Sequence, residues 1–326
     1  MKRILYIVLI FSACDPGEIP TNPPTSELLI ETIPLEPNYQ NQVFYDLSQS
    51  SISSINIKSE WDIGILLDSN FKIILNSANF SKVWVTDYNF NDSVDIANAQ
   101  WSWDAPSGNH DSLAFQSIDT SKVYILDRGL NINGSSMGIF KVQFLELNNS
   151  FFRVKTSQIE LFNDTILDIT LDQNKLFTPF SFSSSKVVNI SPEINNWDLL
   201  FTQYTRLFTN PQIEYLVTGV LINDKTTQVA VDTINDFNQI NYSSLSDYQF
   251  LSQRDIIGYN WKEFNFETNL YSVKDNINFV IRDFEGKYYK MRFIDFYNSQ
   301  GLKGYPKFEL EELICLLYTS PSPRDR

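Results

Sequence analysis

Residues 195–204 read NNWDLLFTQY, and this stretch decides the fold. It is typical of a buried strand, because an Asn pair and a Trp are followed by apolar and aromatic residues on both faces. Residues 59–67 (SEWDIGILL) repeat the Trp-Asp pair in the first half of the chain. A carboxylate repeated beside a buried Trp is more often a structural hydrogen-bonding group than a catalytic one. We therefore predict four fold anchors: Trp61, Asp62, Trp197 and Asp198.

Further landmarks recur in the same order in the two halves. A short aromatic strand precedes each Trp-Asp pair, at 43–47 (VFYDL) and at 180–182 (FSF). A strand beginning with Lys follows each pair, at 141–147 (KVQFLEL) and at 290–296 (KMRFIDF). An ordered series of landmarks indicates a duplicated unit. The predicted lobes are lobe 1 at 41–170 and lobe 2 at 171–314.

The body of the chain has the pattern of β-structure almost throughout. Runs of β-branched and aromatic residues, such as 71–75, 82–85, 122–126 and 215–222, alternate with turns rich in Asn, Asp, Ser and Gly. No long amphipathic helix is evident in the sequence. We predict an all-β fold of two tandem antiparallel lobes, sheet-like or sandwich-like, after a signal and a tether.

The first fourteen residues indicate export. Lys2 and Arg3 precede a short apolar run at 4–11, and Ser-Ala then leads to Cys14. The run is too short for a permanent membrane helix, so a cleaved signal is the better interpretation. The small residues before Cys14 resemble a bacterial lipoprotein box, which implies that Cys14 becomes the lipidated N-terminus. The alternative is an ordinary signal peptide with a free Cys nearby.

Two flanking segments are predicted to lie outside the fold. Residues 15–40 are rich in proline, which favours extended geometry, and we predict a tether that holds the body away from the membrane. Residues 315–326 abandon the Asn-rich β composition and resemble translated adapter sequence, so we predict a non-native tail. The alternative for this tail is a natural disordered end.

Composition excludes several classes of function. The net charge is −14 and the pI is about 4.5, which would repel a phosphate backbone, so we expect no nucleic-acid partner. His110 is the one histidine and the two cysteines lie near the ends, which leaves no catalytic triad and no zinc spacing. Residues 87–95 alternate oxygen ligands, but we predict a solvated turn there rather than a calcium loop. We predict a protein that is not an enzyme.

The second half resembles the HmuY family, bacterial outer-membrane lipoproteins that capture haem. The resemblance is carried by 180–183, 187–188, 196–199, Arg206, 278–282, 290–296 and 303–310. The first half resembles the same family through 61–62, 124–126 and 141–144. The resemblance implies an all-β fold, and it implies a second lobe of this type on the N-terminal side.

The resemblance also implies haem iron held between two axial side chains, His or Met. They come from the region between the Trp-Asp strand and the strand that matches 278–282, which in lobe 2 is about 223–277 and contains neither residue type. Tyrosinate is an alternative ligand type there. In lobe 1, His110 stands at about the distance expected for the second family ligand, and Met137 can reach from its loop. The candidate iron ligands are thus His110 and Met137; the alternatives are a surface His110 and the tyrosines Tyr242, Tyr248, Tyr259 and Tyr271.

Two functions follow from this resemblance. The first is an outer-membrane-anchored lipoprotein that captures haem, or a related small ligand, with an outer-membrane transporter as a candidate partner. It would touch the membrane through its lipid anchor only, facing either the cell surface or the periplasm. The second is a non-catalytic surface-binding or adhesion module that keeps the fold and lacks the iron ligands.

Overall fold

The computed structural model describes residues 26–66, 71–115, 117–161 and 164–315, except for the side chain of His110. The predicted signal with Cys14, the first part of the predicted tether and residues 316–326 lie outside these ranges.

Strands make up nearly all of the regular structure, which confirms the prediction of an all-β fold. The Val, Ile, Phe and Tyr runs of the sequence form them, because such side chains pack well on a pleated surface. The strands are, in chain order, β1 Leu29–Thr32, β2 Asn41–Asp46, β3 Ser51–Ile57, β4 Ile63–Leu66, β5 Lys72–Leu75, β6 Lys82–Thr86, β7 Val123–Asp127, β8 Ile139–Leu147, β9 Phe151–Gln158, β10 Thr165–Thr170, β11 Phe177–Ser181, β12 Lys186–Val187, β13 Leu199–Thr209, β14 Gln212–Ile222, β15 Gln228–Asp232, β16 Lys262–Asn265, β17 Leu270–Val273, β18 Asn278–Arg282, β19 Tyr288–Tyr297 and β20 Lys303–Glu312. The described helices are short 3-10 helices at Lys58–Glu60, Ser77–Asn79, His110–Ser112, Phe237–Gln239 and Tyr242–Asp247.

Four antiparallel sheets form a stack of four layers. Outer sheet 1 has the order β10-β9-β8-β7-β6, and inner sheet 1 has the order β12-β11-β4-β5. Inner sheet 2 has the order β14-β13-β2-β3, and outer sheet 2 has the order β1-β20-β19-β18-β15. One hydrophobic cluster lies between outer sheet 1 and inner sheet 1, and a second lies between outer sheet 2 and inner sheet 2. A third cluster lies between the two inner sheets. The third cluster includes Phe44, Trp61, Phe177, Trp197 and Leu200.

Each half of the chain completes the sheets of the other half. β2 pairs with β13, where Tyr45 lies opposite Leu199, and β11 pairs with β4, where Phe180 lies opposite Ile63. In the outer sheets, β1 pairs with β20 and β10 pairs with β9. The β2–β13, β4–β11 and β1–β20 pairings cross the predicted boundary at 170/171, whereas β10, at 165–170, lies on the same side of it as β9. The division into lobes 41–170 and 171–314 stays a prediction, and the sheets themselves mix strands from both ranges.

The two halves also follow one strand plan. Outer sheet 1 continues from β10 to β9, β8, β7 and β6, and outer sheet 2 continues from β1 to β20, β19, β18 and β15. In inner sheet 1, β4 and β5 of the first half lie beside β11 and β12 of the second half. In inner sheet 2, β13 and β14 of the second half lie beside β2 and β3 of the first half. The first three strands of each half therefore take equivalent places in the sheets of the other.

We expect a chain that is cut between β9 and β10 to remain one particle. A protease site inserted after Glu160 would separate β1 to β9 from β10 to β20, but strands of each fragment lie inside the sheets of the other. Size-exclusion chromatography of the cut chain should show one native peak, and two smaller species only in urea. Two separate fragments under native conditions would contradict the strand exchange.

Residues 29–35 correct the predicted tether of 15–40. β1 pairs with the C-terminal strand β20, with Leu29 opposite Leu310, and the side chains of Ile33 and Leu35 are fully buried. Pro34 and Pro37 follow β1 rather than interrupt it, and β1 lies at a sheet edge, where proline nearby is tolerated. The proline count alone therefore overstated the length of the tether.

The predicted anchors hold the exchanged strands in place. The backbone N–H of Asp62 donates to Phe180 O (2.8 Å), and its carboxylate accepts from the N–H of Phe182 (2.7 Å). The backbone N–H of Asp198 donates to Tyr45 O (2.9 Å), and its carboxylate accepts from the N–H of Leu47 (2.9 Å). The same pair of bonds thus pins β11 to the first half and β2 to the second. All four anchors, Trp61, Asp62, Trp197 and Asp198, are buried.

Two asparagines that no sequence pattern singled out complete these corners. Asn76 donates its side-chain amide to Trp61 O (2.7 Å), and Asn223 donates to Trp197 O (3.2 Å). Both side chains are fully buried, and each backbone N–H bonds to the carbonyl of the anchor aspartate. Buried polar groups of this kind are satisfied within the fold, so their role is structural.

The two anchor aspartates differ in their counter-groups. Asp62 faces the guanidinium of Arg128 (2.8 Å), whereas Asp198 accepts a hydrogen bond from the Thr227 hydroxyl (2.8 Å). Burial, with a smaller contribution from the neighbouring carboxylates of Asp283 and Asp46, raises the pKa of Asp198 to about 6, against the hydrogen bonds from Leu47 and Thr227. The folded protein therefore binds a proton at Asp198 more tightly than the unfolded chain does.

We expect the free energy of unfolding to fall as the pH rises from about 4 to about 6. A folded-state pKa above the unfolded value gives stabilisation that is present at low pH and is lost through that window, with a slope of at most about 1.4 kcal/mol per pH unit for each group. Asp104, whose pKa burial also raises to about 6, acts in the same direction. Urea unfolding of Asp198→Asn should show a shallower slope, and an unchanged slope would contradict the assignment.

Candidate functional site

A wide cleft lies where the two halves of the chain meet. Its volume is about 890 Å³, which is within the range of small-molecule and cofactor pockets. One wall is formed by the segment between β6 and β7, and the other is formed by the tip of the β13–β14 hairpin. We call it the aromatic cleft; its lining is Val85, Trp101, Ser102, Trp103, Ser112, Leu113, Ala114, Ser117, Asp119, Lys122, Tyr124, Leu207, Phe208, Thr209, Gln212 and Glu214.

Two tryptophans form its aromatic wall. Ser102 pairs with Val83 through two backbone hydrogen bonds (2.9 and 2.8 Å), which holds the segment extended along the edge of β6. Alternate residues of an extended segment point to the same side, so Trp101 and Trp103 project together. The ammonium of Lys82 lies 4.9 Å from the ring centre of Trp101 and 5.8 Å from that of Trp103. This cation is attracted to the faces of both rings.

Asp104 holds the next part of the wall. Its carboxylate accepts from the N–H of Leu75 (2.7 Å) and from that of Ala114 (2.8 Å), so it ties the 104–114 loop to β5. Burial raises the pKa of Asp104 to about 6, against these two hydrogen bonds and the nearby charge of Arg254. The loop carries Ser112, Leu113 and Ala114 into the cleft.

The opposite wall comes from a distant part of the sequence. The β13–β14 hairpin reaches across from the second half, and the Thr205 hydroxyl donates to Ser77 O (2.9 Å) to fix it against the first half. Phe208, near the tip, makes an edge-to-face contact with Tyr259 (6.4 Å between ring centres). This wall could not be predicted from the sequence, because no local pattern indicates that 207–214 approaches 101–119.

The two candidate iron ligands, His110 and Met137, lie in different loops of the structure. The backbone of His110 lies in the 3-10 helix His110–Ser112, whose last residue lines the cleft, but its side chain lies outside the described part of the chain. Met137 lies in the loop between β7 and β8, where its carbonyl accepts from Arg128 Nη1 (2.8 Å). Met137 is not among the residues that line the cleft. Their pairing as iron ligands stays a prediction.

The tyrosine nearest the cleft is engaged in the fold. The hydroxyl of Tyr124 accepts from the N–H of Asp119 (2.8 Å) and donates to Ser117 O (3.3 Å). Burial raises the pKa of Tyr124 above its usual value, so the phenol stays neutral. Among the alternatives from lobe 2, the Tyr248 hydroxyl donates to the Asp232 carboxylate (2.6 Å).

The aromatic cleft suits the porphyrin ring of a haem, but its described lining offers no ligand for the iron. Its size and its Trp and Phe walls suit the flat apolar ring of a tetrapyrrole. Its described lining holds no His, Met or Cys side chain, and no group of three or more His, Cys, Asp or Glu among the described residues could hold a metal ion. Of the two predicted iron ligands, His110 is the one whose neighbour in the sequence, Ser112, lines the cleft.

A second, smaller pocket occupies the corresponding region of the second half. It has a volume of about 570 Å³ and lies between β15 and the 3-10 helix Tyr242–Asp247. Its polar groups largely bond to one another, since Asp232 accepts from Asn235 (2.8 Å) as well as from Tyr248.

Helices long and apolar enough to cross a membrane are not found in the described residues.

Comparisons with known proteins add the following. The family model described as HmuY protein matches residues 38–310 in one span, across both predicted lobes. Among solved structures, apo PinO from Porphyromonas gingivitis is 12% identical, with a TM-score of 0.34, 89% of this chain covered and 98% of that one. The apo HmuY analogue TFO from Tannerella forsythia is 8% identical, with a TM-score of 0.27 and coverage of 90% and 100%.

A third solved structure carries a functional description. It is a HmuY-like haem-binding protein from Bacteroides vulgatus, which is 14% identical to this chain with a TM-score of 0.21. That alignment covers 33% of this chain and 84% of the other. The comparison with curated proteins gave no match.

Proposed function

The chain belongs to the HmuY family, and on that premise we propose that it is a binding protein that captures haem, or a related flat ligand, in the aromatic cleft. Membership of the family supports a haem-binding type of function in general. The observation that carries the proposal is the cleft itself, a cavity of about 890 Å³ walled by Trp101, Trp103 and Phe208. The 3-10 helix that contains His110 borders it. The proposed role is capture rather than catalysis.

We expect haem to bind at one equivalent with a saturable shift of its Soret band. The test is a titration of the Cys14→Ser chain, which lacks the proposed lipid attachment site, followed by visible absorbance in both oxidation states. If His110 ligates the iron, His110→Ala should change the band positions in the complex, because the axial ligand sets the spectrum. The matched control is Asn109→Ala, an exposed neighbour in the same loop.

The outcome of this titration decides the proposal. A spectrum identical to that of free haem at every ratio would contradict capture. A Soret shift with unchanged bands in His110→Ala would keep capture and remove His110 as a ligand. Met137→Ala tests the second predicted ligand in the same way.

A second function has its own observation. The β16–β17 hairpin exposes an aromatic tip, in which the side chain of Phe266 is 86% exposed and contacts Phe264 (5.1 Å between ring centres). Exposed apolar groups of this size mark protein contacts more often than isolated surface residues do. A surface-binding or adhesion module would use this tip in place of an iron site. Loss of partner binding in Phe266→Ala with normal haem binding would favour it.

We also propose that lipid on Cys14 anchors the protein to the outer membrane and that a transporter in that membrane receives the ligand. Cys14 precedes the first described residue, Ser26, by a segment that spans at most about 40 Å when extended. The body would therefore stay close to the membrane without entering it. Labelling of cells with a radioactive fatty acid should mark the wild-type chain and not Cys14→Ser; equal labelling of both would contradict the anchor.

The shared strand plan supports an internal duplication. The Trp-Asp corners, their Asn76 and Asn223 partners and the order of the outer sheets correspond in the two halves. We propose that one ancestral unit was duplicated and that the copies exchanged their first strands. A crystal structure in which the halves fail to superpose strand by strand would contradict this origin.

A further inference from the structure

We propose that the aromatic cleft recognises the flat ring and the acidic groups of a tetrapyrrole rather than its metal. A metal-free porphyrin would then bind about as tightly as haem. This inference rests on the proposed function, since it concerns the ligand class of the same cleft, but the two can fail separately.

Ring contacts come from both walls of the cleft. Trp101 and Trp103 belong to the first half of the chain, and Phe208 belongs to the hairpin of the second half. A planar ligand that lies between them can stack on aromatic faces from two sides, which is how sequence-tolerant aromatic platforms bind flat rings. These contacts involve the ring and not the metal at its centre.

The side chains of metal-binding type near the cleft are occupied or placed elsewhere. Both hydrogen-bonding functions of the Tyr124 hydroxyl are used, by Asp119 and Ser117. Met137 belongs to the corner around Arg128 and not to the cleft lining. Iron would therefore gain at most an axial bond to His110, and the ring contacts would remain the larger share of the binding energy.

One edge of the cleft suits an acidic group of the ligand. Lys122 lines the cleft and pairs with Asp87, whose side chain is 90% exposed. A ligand carboxylate can replace this exposed partner at little cost, because surface ion pairs contribute little. Asp119 and Glu214 also line the cleft, and Asp119 lies close enough to Lys122 to act on its charge, so a ligand carboxylate would gain from Lys122 against repulsion from Asp119.

The test compares haem with metal-free protoporphyrin on the Cys14→Ser chain. Protoporphyrin fluoresces, so the rise in its anisotropy gives a dissociation constant directly, and haem is then measured by displacement of the bound protoporphyrin. We expect the two dissociation constants to agree within about threefold, a difference of less than about 1 kcal/mol. The displacement should be complete, because both ligands occupy one cleft.

The acidic contact has a separate readout. Lys122→Gln should weaken protoporphyrin binding about threefold to tenfold, the value of a charge-assisted hydrogen bond at a partly exposed site. The same variant should leave binding of the uncharged dimethyl ester of protoporphyrin unchanged. The matched control is Lys186→Gln, an exposed lysine on the edge strand β12, which should affect neither ligand.

Each outcome bears on one of the two claims. Haem binding that exceeds protoporphyrin binding by more than about thirtyfold would overturn this inference and leave haem capture intact. Failure of both ligands to bind would overturn the proposed function as well. Equal losses for the acid and its ester in Lys122→Gln would overturn the role of the acidic groups.

Discussion

Arg128→Met should lower the free energy of unfolding by about 3–5 kcal/mol, the usual cost of leaving one partner of a buried ion pair alone. The guanidinium of Arg128 donates to both carboxylate oxygens of Asp62 (2.8 and 3.1 Å), to the Ser183 hydroxyl (2.5 Å) and to Met137 O (2.8 Å). Both charged side chains are almost fully buried. Met keeps most of the volume of Arg but leaves the Asp62 carboxylate without a counter-charge.

The loss of unfolding free energy in Arg128→Met should depend on pH. Burial raises the pKa of Asp62, and the Arg128 guanidinium is the main group that opposes this shift. In Arg128→Met the folded-state pKa rises further, so the carboxyl takes up a proton in the folded state. The destabilisation should therefore be smaller near pH 4 than at neutral pH, as linkage requires.

An exposed ion pair on outer sheet 1 provides the control for this change. Arg153 bonds to Asp168 (2.7 Å), but the two side chains are 41% and 51% exposed. Arg153→Met should leave the free energy of unfolding close to that of the wild type, because exposed ion pairs contribute little. Equal losses in the two variants, measured by urea unfolding at neutral pH, would contradict the anchoring role of the Asp62–Arg128 pair.

Removal of an aromatic wall should produce the largest change in ligand binding. We expect Trp103→Ala and Phe208→Ala each to weaken haem binding about tenfold to thirtyfold, since a buried aromatic contact at a binding site is worth about 1.4–2 kcal/mol. The two residues come from different halves of the chain, so a loss in both variants places the ligand between the halves. The measurement is the same absorbance titration.

Two controls separate binding from folding in this experiment. Phe266→Ala removes an exposed aromatic ring far along the chain from the cleft and should leave haem affinity unchanged. Phe208 is only partly buried, so Phe208→Ala should keep the midpoint of urea unfolding close to wild type. Unchanged affinity in both wall variants would contradict a ligand in this cleft.

Local sequence pattern predicted the strands but not their partners. The Trp-Asp stretches at 61–62 and 197–198 indicated buried strands, and the structure places both pairs, buried, immediately before β4 and β13. Strand exchange between the halves was not predictable, since alternation of side chains specifies which face is buried and not which strand lies alongside. The tether was overestimated because proline density was judged without the apolar side chains of Ile33 and Leu35.

The candidate site was predictable on one side only. Trp101, Trp103 and His110 lie close together in the sequence, so their neighbourhood could be noticed there. The hairpin wall at 207–214 comes from about a hundred residues further along the chain, and such a contact is decided by tertiary packing. Asp104 carried no signal either, because a buried aspartate that binds backbone N–H groups has the same local pattern as a surface one.

Hydrogen exchange with and without one equivalent of haem would locate the bound ligand. We expect slower exchange in both walls of the aromatic cleft, in peptides that cover 101–115 and 205–216, and no change around the second pocket at 229–256. Protection in both walls would show one ligand held between the two halves of the chain. Protection confined to 229–256, or no protection at saturating haem, would contradict capture in this cleft.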